Sequence, residues 1–203
     1  MKKKTVKKLV RIIVLIIIIV LLILLCIWGI LKFIKNKYKK ILLNNDSSNY
    51  EIIQIVDGVE EQVSKLRNNT LVIDDGENII WISKKANKSI VMNQNNKTAI
   101  VTTESDLKIA TLNESYIKEY FENSDNKFKY LGKENNYELL EFTNKNTGII
   151  SVLYLNLETN IIDKQIIKNG NAQNVIEYKV KLNSVSTDEI KEPDLTDYYI
   201  IEQ

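Results

Sequence analysis

The sequence predicts an α+β protein: an N-terminal transmembrane helix, then one curved antiparallel β-sheet with a helical lid. Three observations lead there. Residues Ile12 to Leu31 are twenty consecutive positions without charge, nearly all Ile, Leu or Val. From Tyr50 onward, short apolar stretches alternate with Asn, Asp and Gly, the pattern of strands joined by tight turns. One later segment, Asn113 to Glu122, repeats its apolar residues at helical spacing instead.

At about 1.5 Å rise per residue, a helix over 12–31 covers roughly 30 Å, the thickness of a bilayer's hydrocarbon core. A cleaved secretory signal has an apolar region of roughly 7 to 15 residues followed by small residues at the cut site. This run is longer and no Ala-x-Ala-like site follows it, so it reads as a retained single-pass anchor. Acylation of Cys26 needs small residues just before it. Ile23, Leu24 and Leu25 stand there instead, so Cys26 reads as a lipid-facing thiol.

Six cations precede the run (Lys2, Lys3, Lys4, Lys7, Lys8 and Arg11) and five follow it (Lys32, Lys35, Lys37, Lys39 and Lys40). The positive-inside bias is narrow, and the first flank decides it. Residues 1–11 are then a cytoplasmic basic tail, 12–31 the transmembrane helix and 32–49 a juxtamembrane basic segment with linker. Residues 50–203 form an extracytoplasmic domain. Trp28 and Tyr38 suit the far membrane interface. Phe33, Ile34, Tyr38, Ile41 and Leu42 recur at helical spacing, which predicts that the helix continues along the headgroups with its lysines snorkelling.

The whole chain carries a formal charge of +2, but residues 1–40 hold eleven Lys/Arg and no Asp/Glu. The other 163 residues carry 17 cations against 26 anions, a balance of −9. A nucleic-acid partner is therefore not expected. Cys26 is the only cysteine, so the domain holds together without disulfides. The abundance of Asn, Lys and Ile reads as a base-composition bias of the source genome, and the Asn-x-Ser/Thr matches at Asn68 and Asn113 follow from it.

In chain order, Asn44 to Asn49 is a polar linker. Strands follow at Tyr50–Val56, Val63–Leu66, Leu71–Ile73, Ile79–Ser83, Ser89–Met92 and Ala99–Thr102. The gaps are too short for crossover helices, so neighbours should pair antiparallel. Asn113 is the expected N-cap of the helix, and Glu114 suits its positive end. Tyr116 with Tyr120, and Ile117 with Phe121, share faces four residues apart. Strands resume at Phe128–Leu131, Tyr137–Phe142, Ile149–Leu157, Ile161–Lys168 and Val175–Leu182. The last alternates strictly, with Ile176, Tyr178, Val180 and Leu182 on one face. Pro193, the single proline, starts an extended strap through Leu195 to Ile201.

Chemistry is sparse. Without histidine there is no Ser-His-Asp or Cys-His arrangement and no His-based zinc site. The six glycines are scattered singly, with no phosphate loop among them. The acidic pairs Glu60-Glu61, Asp74-Asp75 and Asp188-Glu189 fall at turns or polar edges, where they read as solvated surface pairs rather than acid/base couples. Asp74, Asp75 and Glu77 lack the spacing of a calcium loop. Trp81, on Ile79-Ile80-Trp81-Ile82, reads as core rather than a binding platform. No catalytic, cofactor or metal site is expected, and no enzyme.

The order of elements resembles the LolA/LolB/LppX-like group of bacterial envelope proteins over roughly residues 50–200. The C-terminal half is similar to GerS-type germination lipoproteins of spore-forming bacteria. The likeness rests on Tyr130-Leu131-Gly132-Lys133-Glu134, Tyr137 to Phe142 and Tyr154 to Lys164 with its Glu158-Thr159-Asn160 turn. It rests also on the tail through Tyr178, Asn183, Val185, Asp188, Ile190, Pro193, Asp194, Leu195 and Tyr198. The resemblance implies a half-barrel that takes either apolar lipid or lipoprotein cargo or a protein partner. For GerS-like members that partner is a cell-wall amidase acting on spore cortex. A membrane helix replaces the lipobox cysteine here, so a fixed scaffold is expected and a shuttling carrier is not. Exposed edges such as the C-terminal strands leave dimerisation open.

Overall fold

The computed structural model describes residues 2–44, 48–104, 109 and 111–203. A single helix, α1 (Lys2–Asn44), runs unbroken through the apolar segment and beyond it on both sides. Among the described residues, its stretch Ile13–Asn44 is the one helix long and apolar enough to cross a membrane, and none of its most apolar window is buried against protein. Asn45 to Ser47, the middle of the expected linker, lie outside the described residues, as do Met1 and the side chains of the basic tail.

Among the described residues, twelve strands form one open sheet. The first six are β1 (Asn49–Val56), β2 (Val59–Arg67), β3 (Thr70–Asp74), β4 (Asn78–Ser83), β5 (Lys88–Asn93) and β6 (Thr98–Thr103). After α2 (Leu112–Tyr116), which runs on as a π-helical turn over Ile117–Phe121, come β7 (Asn126–Glu134), β8 (Tyr137–Asn144) and β9 (Ile150–Asn156). Then follow β10 (Ile162–Asn169), β11 (Ala172–Leu182), a 3₁₀ turn at Asp188–Ile190 and β12 (Tyr199–Glu202). Two meanders, β1–β6 and β7–β11, lie side by side because β1 pairs antiparallel with β11, Tyr50 facing Leu182. The strap supplies β12, which pairs with β6 in parallel, the one departure from the expected antiparallel pattern. The sheet edges are β12 and β7, while β11 lies in the interior between β1 and β10, so most of the expected C-terminal edge is already paired.

Asparagine is used at the turns. Among the described residues, six of the eight non-glycine positions with positive φ are Asn. Asn68-Asn69 and Asp57-Gly58 are two-residue hairpin loops with both residues left-handed, the geometry that matches strand twist. The richness in Asn thus has a structural use beyond composition bias.

The sheet's two halves are covered on opposite faces. On one face of β7–β11, Leu140, Phe142, Leu153, Leu155 and Ile162 are buried beneath Tyr116, Ile117, Tyr120 and Phe121. Tyr38 and Leu42 of α1 belong to the same cluster, 3% and 0% exposed. This corrects the expectation that Tyr38, Ile41 and Leu42 lie along lipid headgroups. The helical periodicity is real, but its apolar face is turned onto the sheet. On the other face, Trp81, Ile90, Met92 and Ala99 of β4–β6 are covered by Leu195 and Tyr198 of the strap. Trp81 Nε1 donates to the carbonyl of Ile190 at 3.0 Å, so it is core, as expected.

The helix cap is also corrected. Thr111, not Asn113, caps α2. Its hydroxyl accepts from the Glu114 N–H at 3.2 Å, and the Glu114 carboxylate accepts from the Thr111 N–H at 3.0 Å, a reciprocal capping box. Asn113 is buried and donates through Nδ2 to the carbonyl of Leu42 at 3.0 Å. It therefore serves the C-terminal end of α1, where the last carbonyls lack helical partners.

A soluble fragment beginning at Lys32 keeps Tyr38 and Leu42. In that fragment Leu42→Ala is expected to lower stability by about 2–5 kcal/mol in urea denaturation, the cost of a buried aliphatic truncation. An unchanged midpoint would mean that α1 does not pack on the sheet.

Candidate functional site

Strand registers place Ile73, Ile80, Val91, Ile100 and Ile201 directly opposite one another in turn, one residue from each of β3, β4, β5, β6 and β12. At about 4.8 Å per strand this β-branched row runs roughly 19 Å across the sheet. Leu71 and Ile82 form a shorter parallel row beside it. All lie on the face that the helices cover over β7–β11, but here the side chains are half-buried, with Val91 at 37% and Ile201 at 39% exposed. On the opposite face of the same strands Ile90 and Ala99 are fully buried. Alternation alone gives one apolar face per strand. These strands have two: the strap covers one, and among the described residues the other is reached at its β3 end, where Ile109 packs with Leu71 and Ser115 shares a hollow with Ile73. A contiguous apolar patch left in the open marks an interaction surface more often than a structural one.

The sheet face beneath α2 is built differently. Phe142 meets Tyr120, Phe121 and Phe128 at ring distances of 5.4, 4.9 and 5.4 Å, and Tyr116 meets Tyr178 edge-on at 6.0 Å. Gln165 donates to the Tyr120 hydroxyl at 2.6 Å. Burial pushes the Tyr116, Tyr120 and Tyr178 hydroxyls up from the usual phenol range, so all three stay neutral. That space is occupied by side chains. Two hollows remain beside them, one of about 150 Å³ between Ile52, Ser64, Leu71 and Ser115 and one of about 340 Å³ between Tyr120, Phe142, Ser151 and Ile167.

The sequence-marked acids have structural jobs. Asp74 accepts from the Gly76 N–H at 2.9 Å, and Asp75 accepts from the Glu77 and Asn78 N–H groups at 3.0 and 2.6 Å. The Asn78 bonds, with that from Glu77, hold the Asp75 carboxyl below its usual range. Glu77 accepts from Asn93 Nδ2 at 3.2 Å. The three carboxylates thus close a turn rather than converge on a point, and among the described residues no group of acids, His or Cys is placed to hold a metal ion. Glu60 and Glu61 line a shallow hollow of about 230 Å³ with Asp74 and Asp75, a proximity that sequence separation hid. Asp188 pairs with Lys191 at 2.6 Å. Glu189 bonds Lys65 at 2.8 Å and the Ser186 N–H at 2.8 Å, pinning the 3₁₀ turn to β2. Cys26 is exposed within the apolar run. The open row itself was hidden in sequence, because Ile73, Ile80, Val91 and Ile100 read there as ordinary strand residues.

No protein-family model matches the sequence, and no curated protein matches it either. Among solved structures, the chain is similar to an uncharacterized conserved protein from Thermus thermophilus, at a TM-score of 0.53 and 8% identity. That match covers 83% of this chain and 98% of the other. At that identity the likeness shows the fold alone: a large open antiparallel sheet. MucB matches at a TM-score of 0.43 and 10% identity, over 78% of this chain and 62% of its own. PNGF-II matches at 0.38 and 12%, over 77% and 32%. Neither of these two similarities is close enough to support an argument.

Lys65 and Ser186 hold the Glu189 carboxyl down to about 2, against an ordinary value near 4.5. A depressed folded-state pKa contributes stability above the unfolded value and loses it as pH falls through the folded one. The strap's attachment should therefore weaken between about pH 4.5 and pH 2. Glu189→Gln should flatten that part of the acid-unfolding curve, read by Trp81 fluorescence. An unchanged curve would remove Glu189 from the strap's anchorage.

Proposed function

We propose that this chain is a non-enzymatic, membrane-anchored binding module whose domain stands outside the cytoplasm and holds a protein partner across the open row of β3–β6 and β12. The observation that carries the reading is that row: Ile73, Ile80, Val91, Ile100 and Ile201 in register, apolar and half-exposed, while the opposite face of the same strands is covered by the strap. The apolar run of α1 supports the anchor, and the acidic balance of the domain favours a partner that is not an anionic polymer.

In this reading the fold is a LolA-like half-barrel with α2 as its lid, and the GerS-type resemblance makes the partner a cell-wall amidase of the cortex. The alternative, lipid or lipoprotein cargo held beneath α2, is weaker, because Tyr38, Leu42, Tyr116, Tyr120 and Phe121 fill that space.

A photo-crosslinking side chain in place of Val91, in the full chain in intact cells, should trap a cell-wall hydrolase. The same group at Lys179, on the face of β11 opposite α2, should not. Val91→Lys should abolish the trapping measured from Ile80 while lowering domain stability by no more than about 1 kcal/mol, the span of strand propensity. Crosslinks from Val91 to lipid alone would refute the protein-partner reading.

A further inference from the structure

Where α1 leaves its apolar run it does not pack at once against the domain. A groove of about 630 Å³ opens between the helix and the start of β7. The apolar part of its wall is made by Trp28 and Leu31 of the helix, by Phe121 and by Phe128 of β7. Cations line it from the same two sides. Lys32, Lys35 and Lys39 come from successive turns of α1, and Lys127 comes from the sheet. Among the described residues, Glu122 is the one carboxylate lining the groove, and it is already bonded to Lys39 at 2.7 Å. Four lysines against one acid leave a local charge of +3, on a chain whose residues beyond 40 total −9.

The cations crowd one another. Lys35 is desolvated and has Lys39 and Lys145 as neighbours, which together lower its pKa. An anion seated among these groups would offset both effects by stabilising the charged ammonium groups. The apolar wall distinguishes which anion. Trp28 and Leu31 belong to the last turns of the lipid-facing run, so the groove is continuous with the hydrocarbon surface of the anchor. A ligand that fits has a phosphate for the lysines and an acyl chain for Trp28, Leu31 and Phe128. Tryptophan and lysine together at the edge of a membrane helix suit the headgroup level.

We propose that this groove binds an anionic phospholipid of the leaflet that surrounds the outer end of the anchor. Lys32, Lys35 and Lys127 hold its phosphate, and its acyl chain lies along Trp28. The lipid fills the gap between helix and sheet, and its headgroup holds the base of the domain at the level of the phosphates. The inference rests on the anchoring of α1 in a bilayer and is independent of the identity of any protein partner.

The test uses the full chain in nanodiscs of equal phosphatidylglycerol and phosphatidylcholine, with lipids retained on release counted by native mass spectrometry. Phosphatidylglycerol should be retained in excess. Lys35→Gln/Lys127→Gln should cut that excess by about fivefold per lysine removed, the worth of one cation near an anionic surface. Lys168→Gln/Lys179→Gln, far from the groove, should leave it unchanged. Equal retention of the two lipids would overturn the site, as would undiminished retention by Lys35→Gln/Lys127→Gln. Binding of free glycerol phosphate by the chain in neutral detergent, with the same dependence on Lys35 and Lys127, would overturn the lipid as occupant. A chain that does not enter nanodiscs at all would overturn the anchoring of α1, and this site with it.

Discussion

Tyr38 and Leu42 stand on a helix whose most apolar window has no residue buried against protein, yet both are buried in the core of the sheet. Around them the contacts are dense. Tyr38 stacks on Tyr130 at 5.8 Å, and Tyr130 in turn donates to the buried carboxylate of Glu138. Burial and these hydrogen-bonding neighbours push the Tyr38 hydroxyl above its ordinary range, so it remains neutral. Asn113 closes the helix from α2, and Lys39 is tied to Glu122. With the end of α1 built into the core, the apolar helix is joined to the sheet by packing as well as by the chain. A domain hung on a flexible linker would sample every orientation, whereas the packing of Tyr38 and Leu42 restricts this one.

The covering of the sheet follows from this arrangement. The end of α1 and the whole of α2 are spent on one face of β7–β11, and the strap is spent on the other face of β3–β6. Among the described residues, nothing comparable is left for the helix-side face of β3–β6, where the apolar row stands half-exposed. A long sheet with two covers on opposite sides leaves apolar surface between them, and among the described residues part of it is this β-branched, cross-strand row. Such rows are stiff at χ1 and need little ordering on binding. The aromatic core beneath α2 and the half-buried row beside it divide this face of the sheet into two differently packed parts.

Much of this is legible in the residues. The apolar run, eleven of the strands and the amphipathic segment Tyr116–Phe121 are visible as periodicities, because burial of one face imposes period 2 or 3.6 on any chain. The strap is visible in Pro193 and in the apolar residues after it, but its parallel pairing with β6 depends on residues far apart in the chain, such as Tyr199 and Thr98. Asn113 has the composition of an N-cap and serves another helix, since Thr111 and Glu114 already satisfy the first turn. The face of Tyr38 and Leu42 is plainly apolar in sequence, yet sequence assigns it to the wrong solvent. Periodicity says that a face is buried, and it does not say whether protein or lipid buries it. The open row is illegible for the converse reason. Ile80 and Val91 look like core in sequence, and only the position of the covers distinguishes them from Trp81 and Ile90.

The integration of α1 with the sheet is tested most directly by amide hydrogen exchange on the full chain in nanodiscs, followed at residues 36–43 against Leu140 and Leu153. If the helix end is core, its amides should exchange as slowly as those of β8 and β9 and open only with the whole domain. Exchange at 36–43 orders of magnitude faster, while β8 and β9 stay protected, would mean that the helix merely tethers the domain, and the restriction of its orientation would go with it.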